Sequence, residues 1–208
     1  MQNLAQAVGA HLPGWQVRSA TLASPGTLEE VMVDGAIIYP FFMANGWFTG
    51  KVLPDRLKGR DYVMATPFGL DPALPGLAAN VIRQAQDHAG WPADEISVLL
   101  AAHGSARGPK AAEAAVSFKT QLEPLLPGAR IEPAYVEQSP GIDEMARALP
   151  AHTLCLPFFA QTGDHVKEDI PQALSTAGFD GILLPVLGAA PNVPELIAGA
   201  LKDAATLT

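Results

Sequence analysis

The sequence predicts an α/β protein with two tandem, related domains, each a doubly wound parallel sheet. Two observations lead to this fold class: short apolar runs alternate with longer helical segments, and the same spacing of glycines and prolines occurs twice. The tripeptide Pro-Phe-Phe at 40–42 recurs at 157–159, and further on Gly46 recurs as Gly163. Matched glycines and prolines mark matched turns and helix starts, so the two copies, of roughly 115 residues each, should share a backbone.

The second copy alternates strand and helix throughout. Residues 97–102 (SVLLAA) form a continuous apolar run, which is typical of a strand buried on both faces. Further strands are expected at 131–136, 153–158 and 181–187, and helices at 108–125, 140–149, 166–177 and 193–207. This order predicts βαβ units, right-handed crossovers and a parallel sheet of four strands.

The first copy repeats this order from its first helix onward, but it has no counterpart of the apolar run 97–102. Its helices are expected before residue 12 and at 28–32, 53–58 and 75–88, and its strands at 16–22, 36–40 and 62–66. Either this copy lacks its opening strand or the sequence begins late. We therefore predict a degenerate domain over 1–92 and a complete one over 93–208, with a linker around 89–95.

The composition narrows the class of protein further. The 208 residues are 49% hydrophobic and carry a formal net charge of −8, which argues against a nucleic acid or an anionic membrane as the main partner. Cys155 is the single cysteine, so neither an intrachain disulfide nor a thiolate metal cluster is expected. With no signal peptide and no apolar run long enough to span a bilayer, we expect a cytoplasmic protein.

Polar side chains follow three of the strands predicted in the second copy. His103 ends the first strand, Glu137 ends the second, and His165 lies in the loop after the third. Ligands of open parallel sheets bind at the carboxyl ends of the strands, where these loops should lie side by side. Two imidazoles and a carboxylate suit a divalent transition metal and also supply general bases near neutral pH.

The first copy lacks all of these polar groups. Leu22 stands where the second copy has Glu137, Phe48 stands where it has His165, and His103 has no counterpart. Each group alone has an ordinary structural interpretation, but the joint loss favours one functional site in the second copy, facing an apolar wall from the first. The nearby acidic side chains are expected to stabilise a helix N-terminus instead of binding a ligand, namely Asp164, Glu168 and Asp169.

These motifs resemble the CbiX/SirB class of sirohydrochlorin chelatases, which belong to the class II chelatase superfamily. The resemblance rests on His103-Gly104-Ser105, on Glu137, on 156–159 (LPFF) and on 163–171 (GDHVKEDIP), and it covers residues 97–208 or so. It implies insertion of cobalt or ferrous iron into sirohydrochlorin, for cobalamin or siroheme biosynthesis, without a prosthetic group. It also implies that His103, Glu137 and His165 are the metal-binding and catalytic residues.

The implied substrate is a flat tetrapyrrole with several carboxylates, which needs a slot with aromatic and polar contacts. The expected substrate-binding residues are Ser105, Arg107, Thr162, Gly163, Trp47 and Phe48. A metal- or tetrapyrrole-binding protein without turnover is an alternative, whereas a nucleotide-binding protein is disfavoured by the absence of a glycine-rich phosphate loop. The sequence leaves open the choice between cobalt and iron, and also the oligomeric state.

Overall fold

The computed structural model describes residues 1–92, 95–105 and 108–206 of the chain. The chain divides into two compact units: unit 1 comprises Met1–Asp71 and Pro191–Thr208, and unit 2 comprises Pro72–Ala190. None of the helices in the described residues is long and apolar enough to cross a membrane. The mixed α/β architecture with parallel sheets agrees with the predicted fold class.

Unit 2 contains a four-stranded parallel sheet in the order β4-β3-β5-β6. Its strands are β3 (Ser97–Ala102), β4 (Arg130–Tyr135), β5 (Thr153–Pro157) and β6 (Ile182–Leu183). All residues of β3 and β5 are buried, as the continuous apolar runs predict. The run 181–187 forms a shorter strand than expected, because Pro185 has no N–H to continue the ladder beyond Leu184.

Helices cover both faces of this sheet. They are α4 (Leu74–Ala89), α5 (Lys110–Leu122), α6 (Ile142–Ala148) and α7 (Ile170–Ala177). On one face Leu99 and Cys155 pack with Ile142 of α6 and Ile170 of α7. Side chains alternate along a strand, so Leu100 points to the other face, where α4 and α5 pack. This arrangement places loops, and not helices, at the carboxyl ends of the strands.

Unit 1 is smaller and contains a two-stranded parallel sheet. Its strands are β1 (Ala36–Ile38) and β2 (Tyr62–Met64), and its helices are α1 (Gln2–Ala10), α2 (Thr27–Val31), α3 (Leu53–Arg56) and α8 (Val193–Thr206). Leu28, Met32, Leu53 and Leu57 form its core against the sheet. The final helix α8 packs on α1 and β1.

The strand expected at 16–22 does not form, and this part of the prediction is wrong. Its counterpart in unit 2 is β4, an edge strand whose ladder partner is β3. The described part of unit 1 has no counterpart of β3, so the segment 16–22 has no neighbour that could accept and donate backbone hydrogen bonds. The segment therefore forms no strand, although its counterpart in unit 2 does.

The described residues contain matched local features at corresponding places in the two predicted copies. A π-helical turn at Phe48–Val52 precedes α3, and another at His165–Asp169 precedes α7. The two compact units nevertheless differ from the predicted domains 1–92 and 93–208, because α4 belongs to unit 2 and α8 belongs to unit 1. The bounds 1–92 and 93–208 stay a prediction about related copies.

Candidate metal site

Backbone hydrogen bonds at the end of the sheet hold His103 and Glu137 side by side. The N–H of Val136 donates to the carbonyl of Ala102 at 3.0 Å, and the N–H of Glu137 donates to the carbonyl of His103 at 2.9 Å. The β3–β4 ladder therefore continues past both strands. In a parallel pair the two following residues must then emerge at the same edge.

The π turn after β5 positions His165. The carbonyl of Gly163 accepts the N–H groups of Val166 and Lys167, each at 3.1 Å, and so closes the start of the turn. Val166 packs against the core below, while the imidazole of His165 is 35% exposed. The π turn thus anchors its apolar side in the core and leaves the imidazole accessible to a ligand.

The three polar side chains converge. His103, Glu137 and His165 each offer a ligand atom, and these atoms all lie within 4.8 Å of one another. The two imidazole rings are nearly perpendicular, with centroids 4.6 Å apart, and Nδ1 of His103 lies 3.6 Å from a Glu137 carboxylate oxygen. Each of the three side chains is between a third and a half exposed, so a metal could enter and leave. The expected convergence at the carboxyl edge is therefore confirmed.

Hydrogen bonds at Nδ1 orient both histidines. Nδ1 of His103 lies 3.0 Å from the carbonyl of Gly104, and Nδ1 of His165 lies 2.5 Å from a carboxylate oxygen of Asp169. Carbonyl and carboxylate oxygens only accept hydrogen bonds, so each Nδ1 must carry the proton. The lone pair of Nε2 then remains for a metal in both rings.

Gly104 allows the loop after β3 to lie directly against the loop after β4. Its φ is +70°, and a Cβ built there would lie 2.7 Å from Cγ of Gln138 and 2.9 Å from Cβ of Tyr135. The side-chain carbonyl of Gln138 in turn accepts the backbone N–H of Ser105 at 2.8 Å. The backbone around His103 is therefore tied to the segment that carries Glu137.

Known proteins resemble this chain in sequence and in fold. A family model described as CbiX matches residues 97–204. The chain is 43% identical to the CbiX described as the terminal enzyme for biosynthesis of siroheme in denitrifying bacteria, with a TM-score of 0.87 over 97% of this chain and 89% of that chain. The chain belongs to the CbiX family. The resemblance of the sequence is thereby confirmed, as is the expectation of an enzyme, since chelatases of this type are enzymes.

More distant solved structures have the same fold. SirB from Bacillus subtilis with Fe3+ matches with a TM-score of 0.70 and 12% identity, covering 98% of this chain and 88% of that one. The sirohydrochlorin chelatase SirB from Bacillus subtilis subspecies spizizenii, in complex with cobalt, matches with a TM-score of 0.60 and 12% identity, covering 99% and 91%. No curated protein matched significantly.

The remaining predicted residues of this CbiX-family chain lie in different places. Ser105 is half-buried beside His103, while Thr162 and Gly163 are exposed just before the π turn. Arg107 lies outside the described residues. In unit 1, Trp47 and Phe48 are 67% and 49% exposed, a high exposure for aromatic side chains.

Trp47 and Phe48 belong to an aromatic cluster in unit 1. Phe48 stacks on Phe42 with centroids 5.9 Å apart, and Trp47 meets Phe48 edge-on at 5.3 Å. The cluster presents flat apolar surface to solvent within its unit, as a contact surface for a planar ligand would.

Sequence reasoning missed one residue of the site. Asp169 was expected to stabilise a helix N-terminus, but its carboxylate accepts a hydrogen bond from His165. The signal was present, because the two residues are four positions apart in the sequence and such pairs lie on the same face of a helical segment. Without the π turn in view, that spacing also fits an ordinary helix-terminal acid.

Proposed function

We propose that this protein is a sirohydrochlorin chelatase that uses His103, Glu137 and His165 to insert a divalent metal into the macrocycle. The observation that carries the proposal is the convergence of these three ligand atoms within 4.8 Å at the carboxyl edge of the sheet. Family membership supports it, because the 43% identical CbiX is described as an enzyme of siroheme biosynthesis.

Ferrous iron is the metal that we propose first. Siroheme is an iron compound, and the CbiX relative is named for siroheme biosynthesis. Two imidazoles and a carboxylate bind iron and cobalt alike, so the ligand set accepts cobalt as a second substrate. The metal is a substrate here, and a half-exposed site with few protein ligands suits one that must be released.

Metal insertion requires the transfer of the metal and of protons in opposite directions. Two pyrrole N–H bonds of the macrocycle break, the metal leaves its protein ligands for the ring nitrogens, and both protons must go to a base. Glu137 and each imidazole, once it has released the metal, can serve as that base. The three side chains could thus hold the metal and then take up the protons.

The substrate contacts are also a proposal. Ser105, Thr162 and Gly163 lie on the loops that carry the two histidines, where they can contact the edge of a macrocycle. Trp47 and Phe48 offer apolar surface for its face. Arg107 would supply a cation for a carboxylate of the substrate.

The test is an insertion assay with purified protein, sirohydrochlorin and either ferrous iron or cobalt, read by the absorbance of the macrocycle. Alanine at His103 or His165, or glutamine at Glu137, should lower turnover by roughly 10²–10⁴-fold, as expected for the loss of an acid–base group. His88→Ala is the matched control, because this histidine is exposed on α4 and should leave turnover unchanged.

Calorimetric titration with cobalt supplies a second measurement. The counterparts Leu22 and Phe48 cannot coordinate metal, so one metal should bind per chain and should need the histidines of unit 2. Two equivalent sites, or a site that survives replacement of both His103 and His165, would contradict the proposal. Binding without turnover for either metal would favour the non-catalytic metal- or tetrapyrrole-binding alternative.

A further inference from the structure

Asp169 accepts a hydrogen bond from a proposed metal ligand. Its Oδ2 lies 2.5 Å from Nδ1 of His165, four residues earlier, across the π turn His165–Asp169. The carboxylate can only accept, so this contact requires the proton on Nδ1 and leaves Nε2 free to donate its lone pair. Carboxylates in this relation to a histidine fix its tautomer and orientation and raise its basicity as a ligand.

The ordinary structural role of such an acid does not account for the contact. Asp169 directly precedes α7, but its backbone is helical, with φ −68° and ψ −45°, because the π turn runs into α7 without a break. It therefore lacks the extended backbone with which an aspartate usually caps a helix N-terminus. No side-chain cap hydrogen bond is formed there. The side chain is instead directed to His165 and is 52% exposed, so as an exposed pair the contact adds little to folding stability.

The first copy supplies an internal control. Its π turn Phe48–Val52 has the same length and the same place before a helix. Phe48 stands where the second copy has His165, and Val52 stands where it has Asp169. The π turn therefore forms without the polar pair, and the acid is lost together with the histidine that it contacts.

We infer that Asp169 is a positioning residue, which holds His165 as an Nε2 ligand for the incoming metal. The inference rests on the proposed chelatase function only for its purpose, because the hydrogen bond from His165 to Asp169 can be measured without metal or substrate. His103 is held differently, by the backbone carbonyl of Gly104. A substitution at Asp169 should therefore change the tautomer and orientation of His165 and leave those of His103 unchanged.

The direct test reads the tautomer of each histidine in metal-free protein, by long-range ¹H–¹⁵N correlation at about pH 8, above the usual histidine pKa of about 6.5. In the native protein His165 should carry its proton on Nδ1. Asp169→Ala should shift a large fraction to the Nε2–H form, while His103 stays unchanged. Asp169→Asn should restore much of the native tautomer, because its amide oxygen still accepts a hydrogen bond.

Cobalt titration gives the functional consequence. Asp169→Ala should weaken cobalt binding by about 10- to 100-fold, with Asp169→Asn between this variant and the native protein. Glu168→Ala is the matched control, since it removes a neighbouring exposed carboxylate, and it should change neither measurement. An unchanged tautomer in Asp169→Ala, or an equal loss of affinity in Glu168→Ala, overturns the inference.

The two proposals can fail separately. A native protein that inserts no metal into sirohydrochlorin refutes the chelatase function, and the tautomer measurement still decides the role of Asp169. Conversely, native turnover in Asp169→Ala with an unchanged His165 tautomer would refute the positioning role and leave the chelatase proposal intact.

Discussion

Replacing Gly104 by alanine should damage both the fold and the metal site, because this glycine lies directly after His103. Its φ of +70° is a left-handed conformation that costs an L-residue about 1–2 kcal/mol. The added Cβ would also lie 2.9 Å from Cβ of Tyr135, an atom whose position is fixed by the backbone of β4. Overpacking of this kind costs about 1–3 kcal/mol, so the whole change should destabilise the protein by about 2–5 kcal/mol.

The second close contact extends the effect of Gly104→Ala to the proposed metal site. The new Cβ would lie 2.7 Å from Cγ of Gln138, whose side-chain oxygen accepts the N–H of Ser105. Moving that side chain breaks the hydrogen bond, and moving the backbone instead displaces the carbonyl that orients His103. Cobalt affinity should therefore fall together with stability.

Urea unfolding followed by circular dichroism, with a cobalt titration on the same samples, measures both effects. Gly178→Ala is the matched control, because Gly178 has a φ of +67° but a Cβ there would meet nothing within 4 Å. That variant should lose only the strain of about 1–2 kcal/mol and keep its cobalt affinity. If Gly104→Ala is as stable as Gly178→Ala and binds cobalt as the native protein does, the reasoning from close approach is refuted.

Two further predictions concern buried groups. Cys155 is fully buried in β5, and burial raises its pKa to about 12, so a thiol reagent should label it only after unfolding. An unfolded thiol ionises at about pH 8.5, so the stability that the protonated thiol contributes should be complete below that pH and be lost towards pH 12. Rapid labelling of the native protein would contradict this, as would a loss of stability at alkaline pH no larger than that of Cys155→Ala. Tyr39 donates a hydrogen bond to Asp71, which is only 5% exposed, at 3.1 Å. Tyr39→Phe should lower the free energy of unfolding by about 1–3 kcal/mol, and a loss no larger than that of Tyr62→Phe, a half-buried tyrosine of β2, would count against it.

Much of the fold follows from local patterns. The strand expected at 97–102 and the helix expected at 75–88 appear as Ser97–Ala102 and Leu74–Ala89. Burial on both faces requires a continuous apolar run, and a helix requires apolar residues at its own period, so both can be read from neighbouring residues. The convergence of His103, Glu137 and His165 could also be predicted, because adjacent parallel strands end at one edge.

Other features depend on partners that no local pattern contains. The segment 16–22 corresponds in the sequence to strand β4, but it has no neighbouring strand in the described part of unit 1, so it forms no strand. The assignment of α4 to unit 2 and of α8 to unit 1 is decided by packing, although the sequence order of the copies suggests the opposite. Strand pairing and helix docking are both contacts between residues that are distant in the sequence. A strand or helix can form such a contact only when its partner is present in the fold.

The sequence by itself predicted the parallel sheets, most of their elements and the three side chains that converge, since these depend on residue type, period and chain order. Tertiary structure decided which nitrogen of each histidine carries the proton and which one would be left for a metal. That choice depends on two hydrogen bonds, one from Nδ1 of His103 to the carbonyl of Gly104 and one from Nδ1 of His165 to the carboxylate of Asp169. A hydrogen bond needs a donor and an acceptor about 3 Å apart, and only the folded backbone, with its left-handed glycine and its π turn, sets such distances.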